Sequence, residues 1–189
     1  MKLEFDPNLD YQLTAIDSTI ALLQGQQRIN TDLRFTKTQT PFAVVPNKLT
    51  LSEEELLQNL NQVQKDNKIT PDKTLVKITE TINGTAGPVK VSYPNFSIEM
   101  ETGTGKTYVY LRTIIELHQY YGYRKFIIVA PSIAIKKGVL KTYEITKDHF
   151  KKLYGKLPMA CYEYDSSKLS QLSGFTRSSD LEIMVMTLA

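Results

Sequence analysis

The sequence predicts an α/β fold: a doubly wound, mostly parallel sheet with helices on both faces. Three observations carry that reading. An apolar run, Phe96-Ser97-Ile98-Glu99-Met100, leads into the glycine-rich turn Glu101-Thr102-Gly103-Thr104-Gly105-Lys106-Thr107, which opens a strongly helical run from Tyr108 to Tyr121. The continuous apolar segment Lys125-Phe126-Ile127-Ile128-Val129-Ala130 reads as a strand buried on both faces, as parallel strands are. Further apolar runs, around Met159 to Tyr164 and from Leu181 to Thr187, continue the alternation of strand and helix.

Taken in order, Leu3-Glu4-Phe5 is a short extended entry and Pro7-Asn8 a turn. Leu13, Ile16, Ile20 and Leu23 then recur at helical spacing, which predicts an amphipathic helix from Leu9 to about Leu23. The stretch from Gln24 to Lys48 is polar and turn-rich apart from Phe42-Ala43-Val44-Val45. Ser52 and Glu55 have capping-box spacing and start a helix whose buried stripe is Leu56, Leu60 and Val63. Val76, Ile78 and Ile82 alternate with polar residues, and so do Val89, Val91 and Tyr93, with Asn83-Gly84 and Gly87-Pro88 between them. That predicts a β-hairpin with a longish loop. Residues 48–93 thus form an α+β insertion ahead of the strand that enters the glycine-rich turn. Beyond that turn, Leu111, Ile114, Ile115 and His118 share a helix face that Gly122 terminates, and Ser132 can cap a helix running towards Leu153.

Bulk properties limit the classes of function. A chain of 189 residues with 41% hydrophobic residues is one ordinary domain or slightly more, and it holds no run near the ~18 apolar residues of a membrane span. Met1-Lys2-Leu3-Glu4-Phe5-Asp6 has no signal-peptide core, and one cysteine, Cys161, permits no internal disulfide. The expected setting is cytoplasmic. A net charge of +3 is compatible with a polyanionic partner without requiring one.

The chemistry centres on the turn at Thr102, Gly103, Thr104, Gly105, Lys106 and Thr107. Glycines let successive backbone N–H groups curl towards phosphate oxygens, and the start of the next helix adds partial positive charge there. Lys106 can reach the outer phosphates of a nucleotide such as ATP, and the Thr107 hydroxyl can ligate Mg²⁺. Met100 departs from the commoner pattern, which places glycine at that position. Gln12, in Tyr11-Gln12-Leu13-Thr14-Ala15-Ile16, is a candidate for two hydrogen bonds to an adenine edge, and Phe5 for stacking on the base. Phe5 fits equally as a core plug against the same helix. Glu53, Glu54 and Glu55 read as complements to a helix dipole rather than as a catalytic cluster, and His118 as a helix-boundary residue.

Together these residues resemble the first RecA-like motor domain of superfamily 2 helicases, and more narrowly the restriction (Res) subunit of type III restriction-modification enzymes. The carriers are Tyr11 to Ile16, Ile98 to Thr107, Tyr108 to Ile114, Phe126-Ile127-Ile128-Val129-Ala130-Pro131-Ser132-Ile133-Ala134-Ile135, and Ile183-Met184-Val185-Met186-Thr187. The resemblance implies an ATP- and Mg²⁺-dependent DNA translocase or helicase motor, in a restriction endonuclease that works with a methyltransferase (modification) subunit. Lys106 and Thr107 would be its catalytic residues. It further implies that Pro131 and Ser132, followed by Lys136 and Lys137 and more weakly by Thr187, touch the backbone of double-stranded DNA.

The family's Asp-Glu pair, which completes the Mg²⁺ site and orients water, does not occur in these residues. The expectation is therefore an N-terminal part of a longer motor, unable to hydrolyse ATP at a useful rate by itself. Two other readings stay open: a kinase or other non-helicase P-loop enzyme, and a non-enzymatic interaction domain whose phosphate loop goes unused.

Overall fold

A computed structural model describes residues 4–29, 46–84 and 87–187. The apolar run at 42–45 and the entry residue Leu3 lie outside the described residues. The elements are α1 (Asp10–Leu22), α2 (Glu53–Asp66), β1 (Lys77–Gly84), β2 (Gly87–Pro94), α3 (Lys106–Tyr121), β3 (Lys125–Ala130), α4 (Ile133–Tyr154), β4 (Met159–Glu163), α5 (Leu169–Arg177) and β5 (Leu181–Thr187).

The central sheet is parallel, in the order β3-β5-β4. Phe126, Ile128 and Ala130 of β3 stand beside Ile183, Val185 and Thr187 of β5, so all point to one face. That face carries the core: Leu111, Ile114 and Ile115 of α3 and Val139, Tyr143 and Phe150 of α4 pack on Leu181, Ile183 and Val185. The chain crosses from β3 to β4 through α4, then steps back to β5 through α5. Right-handed crossovers in opposite directions put the two helices on opposite faces. Lys125, which points away from the core face, accordingly lies over the Phe175 ring of α5.

The expectation that Lys125–Ala130 is buried on both faces is corrected. Ile127 and Val129 are 56% and 49% exposed, because the nine residues of α5 cover only part of the second face. Residues 95–100, expected as the strand entering the glycine-rich turn, join no sheet among the described residues. Their alternating apolar residues divide between environments: Ile98 is exposed, while Met100 packs against Ala15, Ile16 and Val109. An apolar alternation becomes a strand only beside a ladder partner. Helix α5 was not foreseen from the sequence. Leu169, Leu172 and Phe175 have helical spacing, but Ser167, Ser170, Ser173, Gly174 and Ser178 around them read as loop.

The 48–93 segment behaves as two parts. The Ser52 hydroxyl accepts from the Glu55 N–H and the Glu55 carboxylate accepts from the Ser52 N–H, so the expected capping box forms. Leu56 is 2% exposed, and the Asn59 amide donates to the Leu22 and Gln24 carbonyls, closing the end of α1. The β1–β2 hairpin, by contrast, is solvent-exposed along the whole of β1. Its ladder runs to Gly84 opposite Gly87, leaving a shorter connection than the longish loop expected. Ile78, Ile82, Val89 and Tyr93 share one exposed face.

Two glycines bracket α3. Gly105 precedes it with φ +84° and Gly122 follows it with φ +73°, in the left-handed region that side chains disfavour. A Cβ on Gly122 would also lie 2.6 Å from the Ile29 carbonyl oxygen. Ile115→Ala should lower stability by about 2–5 kcal/mol in urea unfolding, because Ile115 is fully buried between helix and sheet. Ile127→Ala should change it by only about 0.5 kcal/mol; equal losses would show that the exposed face is packed after all.

Candidate functional site: a phosphate loop and a strand-end crest

The first constellation is built around the N-terminus of α3. Gly103 has φ +83° and Gly105 φ +84°, which fold residues 102–105 into a tight turn against the first helical N–H groups. Helix α3 has no acidic residue in its first turn, unlike α2 with its three glutamates, so an incoming anion meets no repulsion there. Lys106 Nζ donates to the Glu101 carbonyl at 2.6 Å, and Thr104 Oγ1 donates to the same oxygen at 2.7 Å. The lysine thus bends back over its own loop, its ammonium held on the Glu101 carbonyl. Thr102, Gly103 and Gly105 are exposed, and Thr107 is half-buried one residue into the helix.

Gln12 and Phe5 converge on this loop from the other side. Gln12, 7% exposed on α1, donates from Nε2 to the Thr104 carbonyl at 2.9 Å. A Cβ added at Gly105 would come 2.8 Å from that nitrogen. The backbone angle demands glycine at 105, and any side chain there would also displace the Gln12 amide from the Thr104 carbonyl. The half-buried Phe5 ring stacks on Tyr108 at 5.8 Å between centroids and 5° between planes, and lies tilted against His149. Tyr108 Oη and His149 Nε2 are 2.8 Å apart. The Pro7 carbonyl accepts from Arg112 Nη1 at 2.6 Å, strapping the N-terminal segment along α3. The structure thus brings Phe5, Gln12, Lys106 and Thr107 to one helix end, with the Phe5 ring also acting as the plug that the sequence allowed. Tyr108, Arg112 and His149, which hold this arrangement, were not singled out; an aromatic residue directly after Lys106-Thr107 was the available signal.

The second constellation lies at the carboxyl ends of the strands. Pro131 and Ser132 are exposed at the end of β3, and the Ser132 hydroxyl caps α4 by accepting from the Ile135 N–H at 3.3 Å. Ala130 pairs in register with Thr187, which places Thr187 beside the turn. Lys137 is exposed on the first turn of α4. Lys136 is different: it is 8% exposed, and its Nζ lies 2.6 Å from Glu163 Oε1 at the end of β4. Lys136, expected with Lys137 against the DNA backbone, has its ammonium engaged by a carboxylate in this structure. It ties α4 to the sheet, because a lysine buried at this depth needs a carboxylate partner. Glu163 was not anticipated, since nothing in its local sequence marks it as a partner for a residue 27 positions earlier.

His118, expected at a helix boundary, sits there with Nδ1 2.8 Å from the Tyr123 carbonyl, and burial lowers its pKa. Among the described residues no group of three or more His, Cys, Asp or Glu could hold a metal ion, and no helix is long and apolar enough to cross a membrane.

Lys136 holds the Glu163 carboxyl below its usual pKa of 4.5, first by their hydrogen bond and then by charge. A depressed carboxylate contributes stability above its unfolded pKa and loses it as pH falls through the folded value. Glu163→Gln should therefore lower the urea midpoint at pH 7, and the gap from the parent chain should close below about pH 4. A gap that persists at acid pH would mean packing, not the ion pair, is responsible.

The model of a family described as "Type III restriction enzyme, res subunit" matches residues 7–189. The EcoP15I Res subunit of Escherichia coli is 35% identical over 122 residues, covering 64% of this chain and 11% of the relative. The EcoPI Res subunit of Escherichia phage P1 is 28% identical over 155 residues, or 79% of this chain and 14% of the relative. The StyLTI Res subunit of Salmonella typhimurium is 50% identical over 62 residues, or 32% of this chain and 6% of the relative. The chain therefore spans a small fraction of the length of the curated relatives it matches.

Proposed function

The chain belongs to the type III restriction enzyme Res-subunit family, and from that premise we propose that it is the ATP-binding part of a DNA translocase or helicase motor. The carrying observation is the loop from Thr102 to Thr107, with two left-handed glycines at a helix start and the Gln12 amide against it. In this reading the chain is the N-terminal part of a first RecA-like domain. It acts in the cytoplasm within a longer restriction endonuclease, beside a methyltransferase (modification) subunit and on double-stranded DNA.

The loop residues fit a nucleotide triphosphate. The inward N–H groups and the α3 N-terminus take the phosphates, and Lys106 exchanges its bond to the Glu101 carbonyl for the outer phosphate oxygens. The Thr107 hydroxyl is the side chain placed to ligate Mg²⁺, whose charge neutralises the phosphates when bound. Gln12 reads the adenine edge with its remaining amide capacity, and the open side of Phe5 stacks on the base. Because Gln12 also holds Thr104, base recognition and loop shape are joined in one side chain. The sequence holds no Asp-Glu pair, so these residues alone bind ATP without turning it over.

Pro131, Ser132, Thr187 and Lys137 form the DNA-backbone contact, a helix start and hydroxyls that position a phosphate without reading sequence. Lys136 supports that turn from below through Glu163.

Calorimetric titration of this chain with Mg²⁺ and ATP should give saturable binding that Lys106→Ala weakens about ten- to hundredfold, the equivalent of one charge-assisted hydrogen bond. Equal affinity in the variant would remove the loop from the nucleotide site. DNA binding measured at several salt concentrations should lose about 0.9 from its log–log slope on Lys137→Ala. An unchanged slope would separate the strand-end crest from the phosphate backbone.

A further inference from the structure

We propose that a cavity at the C-terminal end of α4 is the docking site for an acidic protein segment that inserts one aromatic or aliphatic side chain. The cavity has a volume of about 250 Å³ and lies between the last turns of α4 and the segment leading into β4. Its floor is apolar: Ile115 and Phe150 are 0% and 3% exposed, and Leu157 and Met159 close the sides. The hydroxyls of its two tyrosines are already engaged, Tyr143 with the Met159 carbonyl and Tyr154 with Arg112 and Glu116. The tyrosine hydroxyls are thus not free to orient a polar ligand, and the buried floor favours an apolar group.

The mouth has the opposite character. Lys147, Lys151 and Lys156 line it, and no carboxylate does. Lys147 shares its ammonium with Glu144, whereas Lys151 and Lys156 carry no ion pair among the described residues. Lysines near a helix C-terminus complement its dipole. Lys151 and Lys152 both lie in the last turn and serve that role, whereas Lys156 lies beyond the helix. An apolar floor beneath a rim of three lysines, two of them without an ion pair among the described residues, selects an apolar anchor flanked by acidic residues.

Size decides between a side chain and a cofactor. Pockets that bury a whole small-molecule ligand run from about 300 to 1,000 Å³, above this volume. Position argues against nucleic acid. At ~1.5 Å per residue, the part of α4 that lines the cavity, Tyr143 to Tyr154, begins about 16 Å and ends about 33 Å from the Ser132 turn. The argument from position rests on the proposed DNA contact at Ser132; the lining and the rim do not depend on it.

The test is fluorescence anisotropy of this chain with a fluorescein-labelled acidic peptide carrying one central phenylalanine, at low salt. The expected result is saturable binding, weakened about tenfold or more both by replacing that phenylalanine with alanine and by the double variant Lys151→Glu, Lys156→Glu. These lysines are surface residues, and an unchanged circular dichroism spectrum checks that the variant is folded. Met159→Trp, which fills the cavity and leaves the rim intact, should weaken binding as strongly. Equal binding by the alanine peptide would reduce the site to non-specific charge and overturn the proposal. So would absence of binding, or displacement of the peptide by a DNA duplex at equal charge concentration.

Discussion

The packing of α3 between α1 and the sheet is the constraint from which the rest follows. Leu111 and Ile115 press on the face formed by Ile183 and Val185, while Val109 turns towards Ala15 and Ile16 of α1. A helix held on two sides cannot slide, so the loop before it is held at a fixed height above the strands. The left-handed glycines at both ends let the chain leave that helix abruptly, and neither position tolerates a side chain without moving its neighbours. Preorganised backbone donors are effective only when they need not be reordered on ligand arrival. Here the order comes from apolar contacts several residues away from the donors.

A second coupling runs through polar side chains. Gln12 touches the loop carbonyl at Thr104, and the segment bearing Phe5 is strapped to α3 by Arg112 and to α4 by His149. Elements that contribute to the proposed base site are therefore also parts of the framework. Lys136 and Glu163 do the same at the other crest, joining the start of α4 to the end of β4. In both places a residue that looks functional in sequence has a structural duty, and the two are not exclusive.

How much of this was legible in the sequence depends on the range of the interaction involved. Local rules sufficed for the Ser52–Glu55 capping box, the Gly122 stop, the Ser132 cap and the order of elements from α3 to β4, because each is decided within a few residues. The misreadings arose where a distant partner decides the outcome. Ile98 and Ile127 have strand-like neighbours, yet whether a face is covered depends on residues far along the chain. Nothing in the sequence around Lys136 marks a carboxylate partner, and only the fold brings Glu163 to it. Helix α5 was obscured by serines and glycine whose local preference for loops is outweighed by the burial of Phe175. Within the loop at residues 102–107 the motif dictates the geometry closely, since phosphate recognition is a backbone property with few solutions.

The β1–β2 hairpin is a separate energetic unit. Its hydrogen bonds are satisfied within its own ladder, but it buries almost nothing, and a lone two-stranded hairpin is marginally stable in water. Its opening free energy is then only a small part of that of the body, and its amides exchange with solvent without α3 loosening. Evolution can lengthen, shorten or re-sequence such an arm at little thermodynamic cost to the nucleotide loop, since the two share no buried residue. Among relatives, length variation before the phosphate loop should therefore concentrate in this arm rather than in α2, whose Asn59 closes the end of α1.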